Sequence, residues 1–347
     1  MDETKVGEML SSQGKFDWLQ SIRKEFKKYH KSTDKEEDDA ATILQDKRHT
    51  LISTKLFLDA IHFDLTYFPL KHLGYKIVSI TISDILAMNG IPTHLMIHLG
   101  VSNRFSLAAV EEIMFGVKYC CQQYKLDLIQ LDVEPSCQGL VASVTAYGEV
   151  EASKKVLRDG AKENDLICVS GDLAAAYAGL LLLEREKKVF QVNPQSQPDF
   201  AGYDYLLERQ LKPEPRFDII KSLKESDIQP SAMTHVTQGL AAAAIHICRA
   251  SQVGCRIFEE KLPIDILTFQ TLKELNIVPT TIALNGGDDN EILFTISQSD
   301  YEKISGIKEI SVIGYIKDKN SGCNLITNDE KQIPLTAQEF SPFSTTD

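Results

Sequence analysis

Short apolar runs alternate with polar breaks along this chain, and the period of each run sets the element it predicts. Between residues 50 and 150, strand-like and helix-like segments follow one another. Strands are predicted over 51–55, 94–101, 127–133 and 140–150. Over 107–124, Val110, Ile113, Met114, Val117 and Cys121 recur at helical spacing and predict an amphipathic helix. The run Ile77-Val78-Ser79-Ile80-Thr81-Ile82 reads as a buried strand, or as an element packed tightly between helix and strand. It stops at Ser83-Asp84, ahead of a small-residue turn with Gly90 and Pro92. A lone carboxylate at the end of an apolar element is costly if buried unpaired, and favourable if it faces a metal ion or a metal-bound phosphate.

A polar stretch carrying Arg158, Gly160 and Asn164 divides the chain into expected domains 1–150 and 151–347. The second half opens with a predicted strand over 166–170, a turn at Gly171-Asp172 and an Ala/Leu-rich helix to about Glu186. A surface loop with two prolines covers 191–200. Helices follow Pro213 and Pro215, including one over 240–250, and strands are predicted over 255–259, 291–297 and 310–316. Without a steady βαβ rhythm, the pattern fits α+β better than a doubly wound sheet.

Composition narrows the class. The 347 residues are 43% hydrophobic and 25% charged, ordinary for a globular chain of two domains. No apolar run is long enough to span a bilayer, and MDETKVGEML has no signal-peptide pattern. Seven cysteines without a CxxC pair fit free thiols in a reducing compartment, so a cytoplasmic location is expected. A net charge of −12 repels nucleic-acid backbone and anionic lipid, leaving small molecules and the chain itself as partners. The basic stretch 23–31 is followed at once by the acidic 34–39 and reads as a solvated face of a helical, then polar, segment over 1–36.

There is no GxxxxGK[ST] loop and no protein-kinase signature set. Phosphate chemistry would have to rest on carboxylates at strand ends and turns: Asp38 with Asp39, Asp84, Asp132, and Asp288 with Asp289. Magnesium takes a few carboxylates plus waters and phosphate oxygens, so separate aspartates converging on a cleft would suit it. Read singly, each is more often a turn or cap residue than a ligand. His62 beside Phe63 is as much a structural histidine as a substrate contact, and no HxxxH pair points to zinc.

Five blocks, taken in order, carry a resemblance. Glu37-Asp38-Asp39-Ala40-Ala41 resembles a GDDAAV block, and Ile52-Ser53-Thr54-Lys55 with Asp59-Ala60-Ile61-His62-Phe63 resembles STD…EGVHF. Residues 83–90 resemble SDIAAMGG, residues 158–165 with 169–171 resemble RxGAKxGD…TG, and residues 285–294 resemble GGEDYELLF. Together they resemble the thiamine-monophosphate kinase family, in the superfamily of aminoimidazole ribonucleotide synthetase. The resemblance implies a two-domain α+β subunit whose N-terminal sheets pair in a homodimer. It implies transfer of the γ-phosphoryl group of ATP, with Mg2+, to thiamine monophosphate, giving thiamine diphosphate. By resemblance, Asp38, Asp39, Asp84 and Asp132 are metal ligands, Asp132, Arg158 and Lys55 lie at the nucleotide, and His62 lies near the second substrate.

The departures fall on the chemistry. Glu37 replaces the glycine before the Asp pair, Lys55 the aspartate of STD, and Asn290 the tyrosine after GGED. GGDT is reduced to Gln130-Leu131-Asp132-Val133, and DxSDGL has become His235-Val236-Thr237-Gln238-Gly239-Leu240. Two unit charges about 4 Å apart interact by roughly 4 kcal/mol at an effective dielectric near 20, so one misplaced ammonium can abolish a metal site. The ammonium of Lys55 could instead bind phosphate as a point charge. Two expectations follow: a weakened kinase of thiamine monophosphate, or a catalytically silent homologue that binds a phosphorylated ligand or a partner.

Overall fold

All eleven residues of strand β2 (Arg48–Leu58) pair with its neighbour β5 (Leu140–Glu151) in one unbroken antiparallel register, from Arg48 opposite Glu151 to Leu58 opposite Val141. Along β5 buried and half-buried positions alternate, which is the signature of a sheet with one face in the core. The computed structural model describes Leu19 and residues 29–32, 38–137 and 139–337. Most of the segment 1–36, and Glu37, lie outside the described residues.

The first sheet also contains β1 (Ala41–Ile43), β3 (Ile91–Ser102) and β4 (Asp127–Ser136), in the order β1-β2-β5-β3-β4. Helices α1 (Leu70–Leu86) and α2 (Leu107–Tyr124) pack together. Their contact is close because both partners offer a glycine. A Cβ on Gly74 would lie 1.9 Å from the Ile113 carbonyl oxygen, and one on Gly116 the same distance from that of Lys71.

The run 77–82 is the middle of α1, not a strand. Its β-branched residues favour a strand locally, but every residue from Leu73 to Leu86 is buried, and a helix apolar on all sides is a core helix. Its small polar residues are satisfied within the helix: Thr81 Oγ1 donates to the Ile77 carbonyl at 2.7 Å and Ser83 Oγ to that of Ser79 at 2.8 Å.

The second sheet holds β6 (Leu166–Ser170), β7 (Ala232–Val236), β8 (Gly254–Phe258), β9 (Glu291–Ile296), β10 (Ile310–Lys317), β11 (Cys323–Ile326) and β12 (Gln332–Pro334), ordered β12-β11-β8-β10-β6-β9-β7. Its helices are α3 (Ala175–Val192), α4 (Asp204–Leu211), α5 (Phe217–Glu225), α6 (Leu240–Ser251), α7 (Ile266–Glu274), α8 (Pro279–Asn285) and α9 (Tyr301–Ile304). The architecture is the expected mixture of helices and sheets. Helix α1 is the seam: its apolar residues share a core with Leu183 of α3 and Leu211 of α4, while Leu86 packs with Met233 and Phe294 of the second sheet. The last turn of α1 therefore meets edge strand β7.

Candidate active site

Asp84 closes α1 at this seam and is 4% exposed. Ser53 and Lys55, two apart on β2, share a face. Ser53 Oγ donates to Asp84 Oδ2 at 2.7 Å, and Lys55 Nζ lies 2.9 Å from the same oxygen. His235, on β7, sets Nδ1 2.8 Å from Asp84 Oδ1. Burial alone would push the Asp84 carboxyl up, but the Lys55 ammonium and the His235 hydrogen bond outweigh it and hold it down at about 2. The carboxylate is thus ionised, with both oxygens occupied by protein donors. His235 Nε2 is buried and has no protein partner.

A second ion pair adjoins the first. Arg158, in the single turn Arg158–Gly160, places Nη2 2.7 Å from Asp39 Oδ1 and Nε 3.2 Å from Oδ2. Thr234 Oγ1 and the backbone N–H of His235 also donate to Asp39 Oδ1, at 3.2 and 3.3 Å. Asp38 accepts the Arg158 backbone N–H at 2.8 Å, and its carboxyl is raised to about 6, chiefly by burial. One connected network therefore joins Asp38, Asp39, Ser53, Lys55, Asp84, Arg158, Thr234 and His235.

Five of the seven residues given roles by the resemblance meet here. The other two are placed differently. Asp132 stands on exposed strand β4, where its Oδ1 accepts the N–H of Val133 at 2.9 Å. His62 sits in the turn after β2; its Nδ1 accepts the Leu58 N–H at 3.1 Å and its ring meets Phe57 edge-on.

The block 285–294 lies beside the 235–240 turn. The Asp288 N–H donates to the Thr237 carbonyl at 2.7 Å, and the two segments line a cavity of about 240 Å3 with Gln238 on its wall. Lys76, a buried cation on α1, reaches across to Asp288 Oδ2 at 3.0 Å. Behind the loop, Glu291 is fully buried between Arg209 and Arg216, at 2.8 and 2.9 Å. Sequence reasoning missed Ser53, Thr234 and Lys76. A single lysine inside the apolar stretch 73–86 was the signal for the last of these.

Magnesium needs carboxylate oxygens free to face it, with waters and phosphate completing an octahedron. Here both oxygens of Asp84 and of Asp39 face N–H, O–H or cationic groups. The carboxylates of Asp38, Asp39 and Asp84 set against Lys55 and Arg158 leave one formal net negative charge among them. This donor set does not fit a site for several magnesium ions.

Fold and site together define a chain of the AIR synthase-related class. A family model described as AIR synthase related protein, N-terminal domain, matches residues 37–150. The thiamine-monophosphate kinase of Bacillus subtilis is 30% identical over 322 residues, covering 91% of this chain and 95% of its own length. That of Buchnera aphidicola subsp. Schizaphis graminum is 33% identical over 328 residues, covering 90% and 95%. A solved structure of AaThiL complexed with AMPPCP and TMP superposes with a TM-score of 0.80 at 28% identity, covering 94% of this chain and 96% of that one. The chain belongs to the thiamine-monophosphate kinase family.

Proposed function

We propose that this chain is a weakened thiamine-monophosphate kinase, transferring phosphoryl from ATP to thiamine monophosphate slowly. The ligands are supported by the relatives and by the AaThiL complex with AMPPCP and TMP. The weakening rests on one observation: Asp84 is held between Lys55 and His235. Phosphoryl transfer relies on positioning and on charge placed around the reacting oxygens. In this reading Lys55 and Arg158 neutralise phosphate as fixed cations, and Asp38 and Asp132 are the surviving acidic positions near the nucleotide. Residues 1–150 carry the nucleotide and pairing surfaces, and His62 bounds the second substrate.

The chain is also proposed to act as a homodimer. Strand β4 is an edge strand whose residues Asp127 to Pro135 are all exposed, including Leu128, Ile129, Leu131 and Val133. An uncovered apolar edge invites pairing, and a second copy would cover it. Among the described residues no helix is long and apolar enough to cross a membrane. Seven unbridged cysteines support a cytoplasmic setting.

A second reading, a silent homologue that binds a phosphorylated ligand or a partner, is favoured by the same pairing: both oxygens of Asp84 and of Asp39 have protein partners without any metal. Calorimetry with ATP, with and without Mg2+, run beside a thiamine diphosphate assay, separates the two. Weak binding with slow turnover supports the kinase reading, and binding without turnover supports the silent one. Tight ATP binding that vanishes on chelation would show that the charge argument is wrong.

A further inference from the structure

Three thiols converge at the second sheet, and none of them belongs to the Asp84 network. Cys248 lies in the last turn of α6, Cys255 on β8, and Cys323 opens β11. Their sulfurs all lie within 4.8 Å of one another. The backbone builds this convergence. Strands β8 and β11 run parallel with Cys323 directly opposite Cys255. The α6–β8 turn is closed by the Val253 N–H donating to the Cys248 carbonyl at 2.9 Å, with Gln252 left-handed, which folds Cys248 back over Cys255. Gly254 admits the loop before β11: a Cβ there would lie 2.6 Å from the carbonyl oxygens of both Asp318 and Gly322.

Core packing accounts for a buried cysteine as a small hydrophobe. It does not require three sulfurs from three elements to face a common point. Sulfurs at about 2.3 Å from a tetrahedral Zn2+ stand about 3.8 Å apart, so these three need to close by no more than about 1 Å. We propose that Cys248, Cys255 and Cys323 form a three-thiolate site for a thiophilic d10 cation such as Zn2+.

Binding is an exchange without electron transfer. Three S–H protons pass to solvent, three S–metal bonds form, and the complex carries one net negative charge. The Arg249 guanidinium acts on Cys323 and offsets that charge. The cation also sits at the C-terminal end of α6, where the helix dipole favours positive charge. Cys248 and Cys255 are buried while Cys323 is half-exposed, which leaves a fourth position open to water. Thiolates select soft cations over magnesium, so this site is chemically distinct from any phosphate-bound metal.

The test uses the full chain, reduced and stripped by chelation. Cd2+, which takes the same thiolate ligands, is titrated while the ultraviolet thiolate-to-metal charge-transfer band is followed. One equivalent per chain is expected, with the same stoichiometry for Zn2+ in competition with a chromophoric chelator, and with proton release in weak buffer. Cys323→Ser is expected to weaken binding at least tenfold, while Cys121→Ser on α2 leaves it unchanged. In the native chain Zn2+ is expected to shield Cys323, but not exposed Cys137, from iodoacetamide. A missing band at one equivalent, a band unchanged in Cys323→Ser, or equal labelling of Cys323 with and without Zn2+ would overturn the proposal.

Discussion

The ammonium of Lys55 stands 2.9 Å from Oδ2 of Asp84, on a carboxylate only 6% exposed. By the resemblance of the motif blocks, Lys55 stands where STD has its aspartate and Asp84 where SDIAAMGG has its own. The pair gives the buried Asp84 carboxylate a counter-ion within the protein. His235, which by resemblance stands where DxSDGL has a carboxylate, reaches the other oxygen of Asp84 from the second sheet.

Breaking this pair should cost stability. Lys55→Ala leaves Asp84 buried with one partner fewer, and a loss of about 3 kcal/mol is expected, since removing one partner strands a buried charge. Combining it with Asp84→Asn should recover part of that loss. Urea titrations of the two single variants and the double variant read the coupling, and strictly additive losses would mean that the pair does not interact.

The acid limb of stability should report the same carboxyl. Asp84 is held at about 2 when folded, below its ordinary value of 3.8. Its contribution is present above pH 4 and is lost as pH falls through 2. In Asp84→Asn the fall in unfolding free energy between pH 4 and pH 2 should be shallower than in the native chain. Identical slopes would contradict the assignment.

Asp289 titrates in the opposite sense. Its carboxyl is fully buried, both oxygens lack a hydrogen-bond partner, and burial pushes it up to about 8 despite the nearby Arg209. The Ala174 N–H also acts to lower it. A raised folded value means stability is full below pH 3.8 and is lost as pH rises through 8. Asp289→Asn should remove a slope of up to about 1.4 kcal/mol per pH unit across that window. Denaturation at pH 5 and pH 8.5 checks this, and an unchanged difference would refute it.

Much of this was legible in the sequence, and the failures have physical causes. The helix over 107–124 and the strand over 166–170 were readable because their periods are clean and their ends carry turn residues. The run 77–82 was not, because its side chains favour a strand while tertiary burial on every side makes it a helix. The motif blocks pointed to Asp38, Asp39, Lys55, Asp84 and Arg158, which do meet. That Lys55 pairs with Asp84 and Arg158 with Asp39 was hidden, because ion pairing across 29 to 119 residues of chain leaves no local pattern. Ser53 and Thr234 were hidden for the same reason.

The β4 surface should hold two copies together. Light scattering at micromolar concentration is expected to give twice the 38.8 kDa of one chain. Ile129→Asp with Val133→Asp should shift it toward one chain, because charges on the exposed strand would be buried by pairing. A native mass of a single chain would reject the homodimer.

Restoring acidity should make stability depend on a cation. Lys55→Asp and His235→Asp put two carboxylates beside Asp84 and remove its ammonium partner, and Gln238→Asp adds a third on the wall of the neighbouring cavity. The triple variant should melt below the native chain in chelator and regain stability as Mg2+ is added, through preferential binding to the folded state. The native chain should respond little to Mg2+. Equal responses would mean that the substitutions do not rebuild a cation site.

Turnover of ATP and thiamine monophosphate by the native chain and by this triple variant, in the same assay, tests the account most directly. The native chain is expected to form thiamine diphosphate slowly or not at all. The triple variant should be at least about tenfold faster, and each single replacement should do little, because groups acting as one cluster are not additive. Native turnover on the order of 1 per second or faster, ordinary for an enzyme, would contradict the claim that Lys55 and His235 have disabled the site.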